Sequence, residues 1–372
     1  MRGPDRLAPA RASALAAALV GVLAGCAPAH GAAYVKAFAD AERAQASGRH
    51  EIAAARFDVA AKEARLPRDK AYAEYLAAMS LARAGNVRDA TRRLDAICSA
   101  RPPSESTPEA CLRAAGLRID GGEADRGHAD LERLVAEFPD REPARSAVPK
   151  IVRYRGGRSK EDALAWIDRV EPALRSTRLA ECLSYERAKL LLALGRKEGA
   201  RDAFVATATR HPYPKGAYFD DALFHAAEIE EDLGRYAEAV ALLERMVDVR
   251  EVASFMGSYQ RPRFSEAKFR IAKLYEHKLN DRAHARKVLH ELWDEYTTST
   301  LRDDALFHEA ALWRKDGDAK TACERLATLA RELPDSRWVP CAVALCPGIT
   351  RAEKSRAPVT CHAYLERPEA AF

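Results

Sequence analysis

The 372-residue sequence lacks the short signatures that most enzymes of known chemistry carry: it has no HExxH pair, no Walker loop, no GxSxG elbow and no GxGxxG following a strand. No stretch approaches the roughly 20 apolar residues that a bilayer-crossing helix needs; the clear apolar run, Ala12 to Ala24, is about 13 residues long. Aromatic residues are scarce at 7%, and no Lys/Arg stripe interleaved with them appears, which removes the usual signature of a nucleic-acid partner. The composition of a disordered chain is also missing, since hydrophobic residues make up 48% and charged residues 31%. Acidic and basic residues alternate along amphipathic stretches, as in Glu228, Glu230, Glu231 and Asp232 before Arg235. These absences leave a water-facing, ordered, non-catalytic chain for which neither a cofactor nor a metal is expected.

What is present begins with an export signal. Arg2, Arg6 and Arg11 precede the apolar run, the charge order of a secretory leader. The run ends in Leu23-Ala24-Gly25-Cys26, which resembles the lipobox of bacterial lipoproteins. That resemblance implies cleavage before Cys26, acylation of its sulfur and amine, and membrane anchorage by several acyl chains, since a single chain holds only marginally. By the same analogy Ala27 in the following position implies the outer membrane. Loss of residues 1–25 would take away three Arg and one Asp, lowering the formal charge from +5 to +3.

The strongest pattern is a repeat. Gly48, Gly85, Gly122, Gly157, Gly195, Gly234 and Gly317 each separate two amphipathic stretches, at intervals of 37, 37, 35, 38, 39 and 83 residues, and Asn280 stands at the turn inside the long interval. Glycine and asparagine tolerate the positive φ of a tight interhelical turn. Counted from that turn, small residues recur seven before it (Ala41, Ala78, Ala115, Ala188, Ala227, Ala310) and five after it (Ala53, Ala90, Ala200, Ala239, Ala285, Ala322). Large residues recur nine after it (Phe57, Leu94, Leu131, Phe204, Leu243, Leu289, Leu326), and Pro102, Pro139, Pro212 and Pro334 fall seventeen after, where a ring without an N–H closes a helix.

These columns resemble the tetratricopeptide repeat family over roughly residues 34–340, which implies an all-α solenoid of about eight helix hairpins. The fourth pair departs, with Lys150 at the first small position and a shifted Ala163; the seventh has Lys273 there, with Ala272 one residue early. The phrases from Phe219 to Phe224 and from Leu301 to Phe307, with the closing Leu333-Pro334-Asp335-Ser336, resemble periplasmic members of the family, the outer-membrane barrel-assembly lipoproteins and the Tol–Pal coordinators. The expected organisation is a leader at 1–25, a lipidated linker at 26–33, the repeats at 34–340 and a Cys-containing cap at 341–372.

Eight cysteines less the lipidated one leave seven, in a compartment that permits disulfides. A second helix runs antiparallel to the next first helix, so cysteines meet when their repeat positions sum to a constant. That criterion pairs Cys98 with Cys111, and it pairs Cys323 with Cys346 if a short ninth helix follows Trp338; Cys341 then joins Cys361 to fasten the tail, leaving Cys182 free. Zinc at Cys341, Cys346, Cys361 and His362 is the rival reading, disfavoured because no C-x2-C spacing occurs.

His225 and His308, at one repeat position beside Phe224 and Phe307, are read as packing residues, and Trp293, Tyr296 and Trp313 as core. Asp220-Asp221 and Asp303-Asp304 are read as charges at helix N-termini. Two insertions, 211–218 and 255–264, carry the contact candidates Tyr213, Tyr218, Phe255, Tyr259, Arg261, Arg263 and Phe264. The function expected is an envelope scaffold that binds envelope proteins or peptides through first-helix side chains. Barrel assembly and peptidoglycan synthesis or division are alternative settings. A wall hydrolase with a helical shell would need a catalytic domain that the last 30 or so residues are too few to form.

Overall fold

The computed structural model describes residues 30–249 and 262–361. Leu23, Ala24, Gly25 and Cys26, and the contact candidates Phe255, Tyr259 and Arg261, lie outside the described residues. Within them the chain forms seventeen helices: α1 Ala32–Ala46, α2 His50–Glu63, α3 Pro67–Arg83, α4 Val87–Ser99, α5 Thr107–Asp120, α6 Ala124–Glu137, α7 Glu142–Arg158, α8 Lys160–Leu174, α9 Ala180–Ala193, α10 Lys197–Arg210, α11 Phe219–Asp232, α12 Tyr236–Val247, α13 Pro262–His277, α14 Arg282–Glu295, α15 Arg302–Lys315, α16 Ala319–Glu332 and α17 Val339–Leu345. The first sixteen are eight hairpins of the tetratricopeptide-like type. They group into two compact units, one running to Arg155 and taking in Thr177–Leu179, the other comprising Gly156–Ser176 and the chain from Ala180 onward.

Turn chemistry sets the period. Gly48, Gly85, Gly122, Gly195, Gly234 and Gly317 all have positive φ, and among the described residues Asn280 is the non-glycine residue that shares it, at 55°. At Gly85 the reversal lets Gly85 N donate to Ala82 O and Asn86 N to Leu81 O, using carbonyls that the end of α3 would otherwise leave unpaired. Gly157 does not follow: α7 continues through it to Arg158, and the chain turns at Ser159, whose extended backbone and hydroxyl, accepting from Asp162 N, cap α8. A side-chain cap makes a left-handed residue unnecessary there, and this explains the irregular fourth pair.

The seventh pair has a different cause. Its turn contains one more residue, because Asp281 N reaches back six positions to Tyr275 O where Asn86 N reaches five. The small-residue register moves with it, so Ala272 is buried at the helix crossing and Lys273 stands on the neighbouring face.

The columns are the core. All six alanines before the turn and all six after it are essentially inaccessible, as are Phe57, Leu94, Leu131, Phe204, Leu243, Leu289 and Leu326. Small side chains let the paired helices approach while the large one fills the groove beside them, so enlarging the former or trimming the latter is disruptive; cutting a buried Leu to Ala costs about 2–5 kcal/mol. Trp293 and Tyr296 are buried and Trp313 is half-buried.

Cys98 of α4 joins Cys111 of α5, Cys323 of α16 joins Cys346 after α17, and Cys341 of α17 joins Cys361, with Cα separations of 4.9, 5.6 and 4.6 Å. Cys182 is a buried thiol outside these bridges. Beneath the last two bridges Trp338 stacks on Phe307 at 4.0 Å within a cluster that includes Leu306, Val339 and Ala342. Helix α17 therefore covers the apolar side of the final hairpin, as a terminal cap does in a repeat stack.

Candidate functional site

A further column lies ten residues before each regular turn, on the first helix of the hairpin: Phe38, Tyr75, Leu112, Tyr185, Phe224 and Phe307, with Phe269 shifted one place by the extra turn residue. The two units treat it differently, and each stands by itself.

In the second unit the column is covered by the protein's own side chains, cations over three of its rings and Trp338 over the last. Lys189 Nζ lies 5.6 Å above the Tyr185 ring, the guanidinium carbons of Arg263 and Arg270 lie 4.7 and 5.1 Å above Phe224, and Lys273 Nζ lies 5.5 Å above Phe269. Trp338 covers Phe307, and Arg337 in turn lies over Trp338. Burial pushes the Tyr185 phenol above its ordinary value, with Asp221 adding to the effect.

In the first unit the column members Phe38, Tyr75 and Leu112 are only half-buried, and the residues one helical turn before the first two are more exposed. Val35 and Tyr72 are 52% and 48% exposed. The Phe38 ring lies 5.6 Å from Tyr34 and 6.0 Å from Tyr72, stacked in the latter case, so α1 and α3 share one aromatic surface. Tyr75 continues it toward α5, where its hydroxyl meets Arg113; burial first, then Glu109, raises the phenol. Arg113 Nε donates to Glu109 Oε1 at 2.8 Å. One helical turn beyond Tyr75 and Leu112 stand Met79 and Gly116, neither fully buried. A Cβ built on Gly116 would meet nothing within 4 Å, so packing does not require glycine there, although a mid-helix glycine costs about 1 kcal/mol relative to alanine.

The carboxylate pairs sit in the first turns of α11 and α15, but neither helix has a side-chain cap from its N-cap residue. Asp221, Asp303 and Asp304 also fasten the segment that follows in the chain. Asp221 accepts from Arg263 Nε. Asp303 accepts from Ser336 Oγ at 2.7 Å and also from Asp304 N at 3.0 Å; Asp304 accepts from Trp338 Nε1 at 2.6 Å and from Arg337. Desolvation holds the Asp304 carboxyl above its ordinary value, and the two donors pull in the opposite direction.

The loop candidates need correction. Tyr218 stacks on Tyr185 at 4.4 Å, and its hydroxyl donates to Cys182 Sγ at 3.7 Å, so it is a packing residue. Tyr213 is half-buried beside Phe219. Phe264 is fully buried in α13, and Arg263 is engaged with Asp221 and Phe224, because α13 begins at Pro262 and takes the end of the expected 255–264 loop into a helix. A hydrophobic residue just inside a helix start serves the core rather than a partner. His225 Nδ1 lies 2.8 Å from Glu228 Oε2, while burial, assisted by Lys273, Lys315, Arg337 and His277, pushes His308 down to about 3. Among the described residues, no three or more His, Cys, Asp and Glu side chains group as metal ligands, and no helix is long and apolar enough to cross a membrane.

The open face escaped sequence reasoning, although an aromatic recurring ten before the turn and an unexplained mid-helix Gly116 were both signals for it.

No curated protein matches the chain. Among solved structures, the C-terminal part of a repeat-containing protein from Cytophaga hutchinsonii is similar at 13% identity, covering 72% of this chain and 99% of that one, with a TM-score of 0.44. PilF of Pseudomonas aeruginosa is similar at 14% identity over 62% of this chain and 93% of that one (TM-score 0.36), and PilW, described as a type IV pilus biogenesis factor, at 15% over 63% and 98% (TM-score 0.37). The tetratricopeptide repeat family matches residues 221–249 and 266–299, which are the sixth hairpin and most of the seventh, and repeats of this kind are typically non-catalytic surfaces for protein–protein contact.

Proposed function

We propose that the protein is a lipid-anchored scaffold of the bacterial envelope, and that the open face of α1, α3 and α5 captures an extended, apolar-rich segment of an envelope protein. The observation that carries this reading is the surface on which Val35 and Tyr72 are exposed beside the half-buried Phe38, Tyr75 and Met79, whereas Phe224 and Phe269 of the other unit are buried under the protein's own cations. Aromatic side chains supply contact area at little entropic cost, and an exposed apolar patch of this kind marks an interaction surface. Gly116 leaves room for a partner backbone to approach α5 closely. The leader, the sequence ending in Cys26 and the disulfides support an exported, oxidising setting.

Placing a photo-crosslinking residue at Tyr72 in cells, with Val59 of the second helix α2 as an equally accessible control, tests the face. An adduct at 72 and none at 59 is expected, lost when Gly116→Leu fills the gap. Recovery of barrel-assembly subunits or of wall synthases identifies the setting, and equal labelling at both sites overturns the assignment. Anchorage is tested separately: Cys26→Ala should leave the membrane fraction, and undiminished retention would refute acylation.

A further inference from the structure

A cavity of about 460 Å³ opens between α13 and α15, with α14 at its back, wholly inside the second unit. Its origin is local. The extra turn residue after α13 turns Lys273 onto the first-helix face, while the corresponding place in the next hairpin holds Ala311, too short to fill the space beside it. The result combines an apolar wall, Phe269, Leu289 and Leu312, with three ammonium groups, Lys273, Lys278 and Lys315, against a single carboxylate, Glu276. That carboxylate is engaged on both oxygens, 2.5 Å from Lys315 Nζ and 3.4 Å from His277 Nε2.

We propose that this cavity is a binding site for an amphipathic organic anion, whose apolar segment lies against Phe269 and Leu312 and whose carboxylate meets Lys273 and Lys315. The volume is in the range of small-ligand sites, roughly 300–1,000 Å³, and charges of one sign on low-dielectric walls focus their field into the opening. Burial, and then Arg270, hold the Lys273 ammonium below its usual range. His308, at the floor, is neutral at physiological pH, so the attraction comes from the lysines and the recognition is for charge at the rim and hydrocarbon within. The site is independent of the α1, α3 and α5 face.

The same chemistry is offered by a free organic acid and by an acidic side chain flanked by an apolar one in a bound polypeptide. Calorimetric titration of the full chain with octanoate, with octanol, octylammonium and inorganic phosphate as controls, tests the shared part. Saturable uptake of one octanoate is expected, with octanol weaker by 10-fold or more and no uptake of octylammonium or phosphate. Lys273→Met should weaken octanoate at least 10-fold, and Ala311→Leu should abolish it without touching any charge, while neither lowers the unfolding temperature. Displacement of octanoate by a capped Leu-Glu-Leu peptide assigns the polypeptide source; its failure to displace, with octanoate still bound, assigns the free acid. Absence of octanoate uptake, equal uptake of octylammonium, or unchanged affinity in both variants overturns the proposal. Should either variant fold poorly, Lys315→Met and Ala311→Val supply the same two comparisons.

Discussion

Replacing Asp304 tests whether the cap is held by one buried carboxylate. Trp338 is almost fully buried, and its indole N–H donates to Asp304 Oδ1 at 2.6 Å, so Asp304→Ala strands a buried donor at a cost of about 1–3 kcal/mol. The ion pair with Arg337 adds little, since that guanidinium is half-exposed and returns to water. A first-turn carboxylate facing the α15 dipole adds a few tenths, and relief of the desolvation that raises the Asp304 pKa works the other way. The net expectation is a loss of about 2 kcal/mol for Asp304→Ala. Asp304→Asn keeps an acceptor oxygen for the indole and removes the desolvated charge, so it should lie within about 1 kcal/mol of the parent. Because repeat proteins open locally, the readout is hydrogen exchange of the α17 segment, residues 338–346, compared with α9 and α11 as internal references. Faster exchange confined to the cap in the Ala variant, and near-parental exchange in the Asn variant, is the expected pattern. Equal losses in the two variants would refute the reasoning, because the indole hydrogen bond would then not be the deciding interaction.

The Cys323–Cys346 and Cys341–Cys361 bridges close separations of 23 and 20 residues, each contributing roughly 3 kcal/mol by chain entropy. Reduction should therefore deprotect α17 in the same exchange experiment while α9 stays protected, and an unchanged cap would dismiss the stapling role. His308 has a folded pKa near 3, below its ordinary 6.5, so its neutral form is the one the fold accepts. Its contribution is intact above pH 6.5 and is lost as pH falls toward 3, because the unfolded chain then binds the extra proton. Lys273 and His277 of α13, Lys315 of α15 and Arg337 all face it with like charge. Urea unfolding at pH 7, 5.5 and 4.5 should show a loss of roughly 1 kcal/mol per pH unit that His308→Leu flattens, and parallel curves would exclude the imidazole as the source. Gly116→Ala should raise stability by about 1 kcal/mol, since open space surrounds the new methyl group; a decrease would mean that the α5 backbone is constrained in some other way.

The sequence by itself determined the hairpins and their core. Turn glycines, alanine columns and the Phe/Leu column are local or near-local requirements of helix geometry, so Ala53, Phe57 and Gly85 could be placed by counting. It also made the Cys98–Cys111 and Cys323–Cys346 pairs candidates, because antiparallel neighbours in a repeat convert sequence position into spatial position, while Cys341–Cys361 followed only by elimination and the structure supplied the connectivity. Counting failed where a different local solution was available: at Gly157, where Ser159 caps the next helix instead, and at 255–264, where α13 starts earlier than the loop reading allowed. Only the tertiary structure decided which aromatic in a shared column is covered and which is left half-buried. Phe224 is buried and roofed by Arg263 and Arg270 from the following hairpin, whereas Phe38 and Tyr75 of the same column are only half-buried, a difference set by side chains about 40 residues away. The cavity beside Lys273 is of the same kind: one extra turn residue and one short neighbour on another helix produce it, and neither means anything until the helices lie side by side.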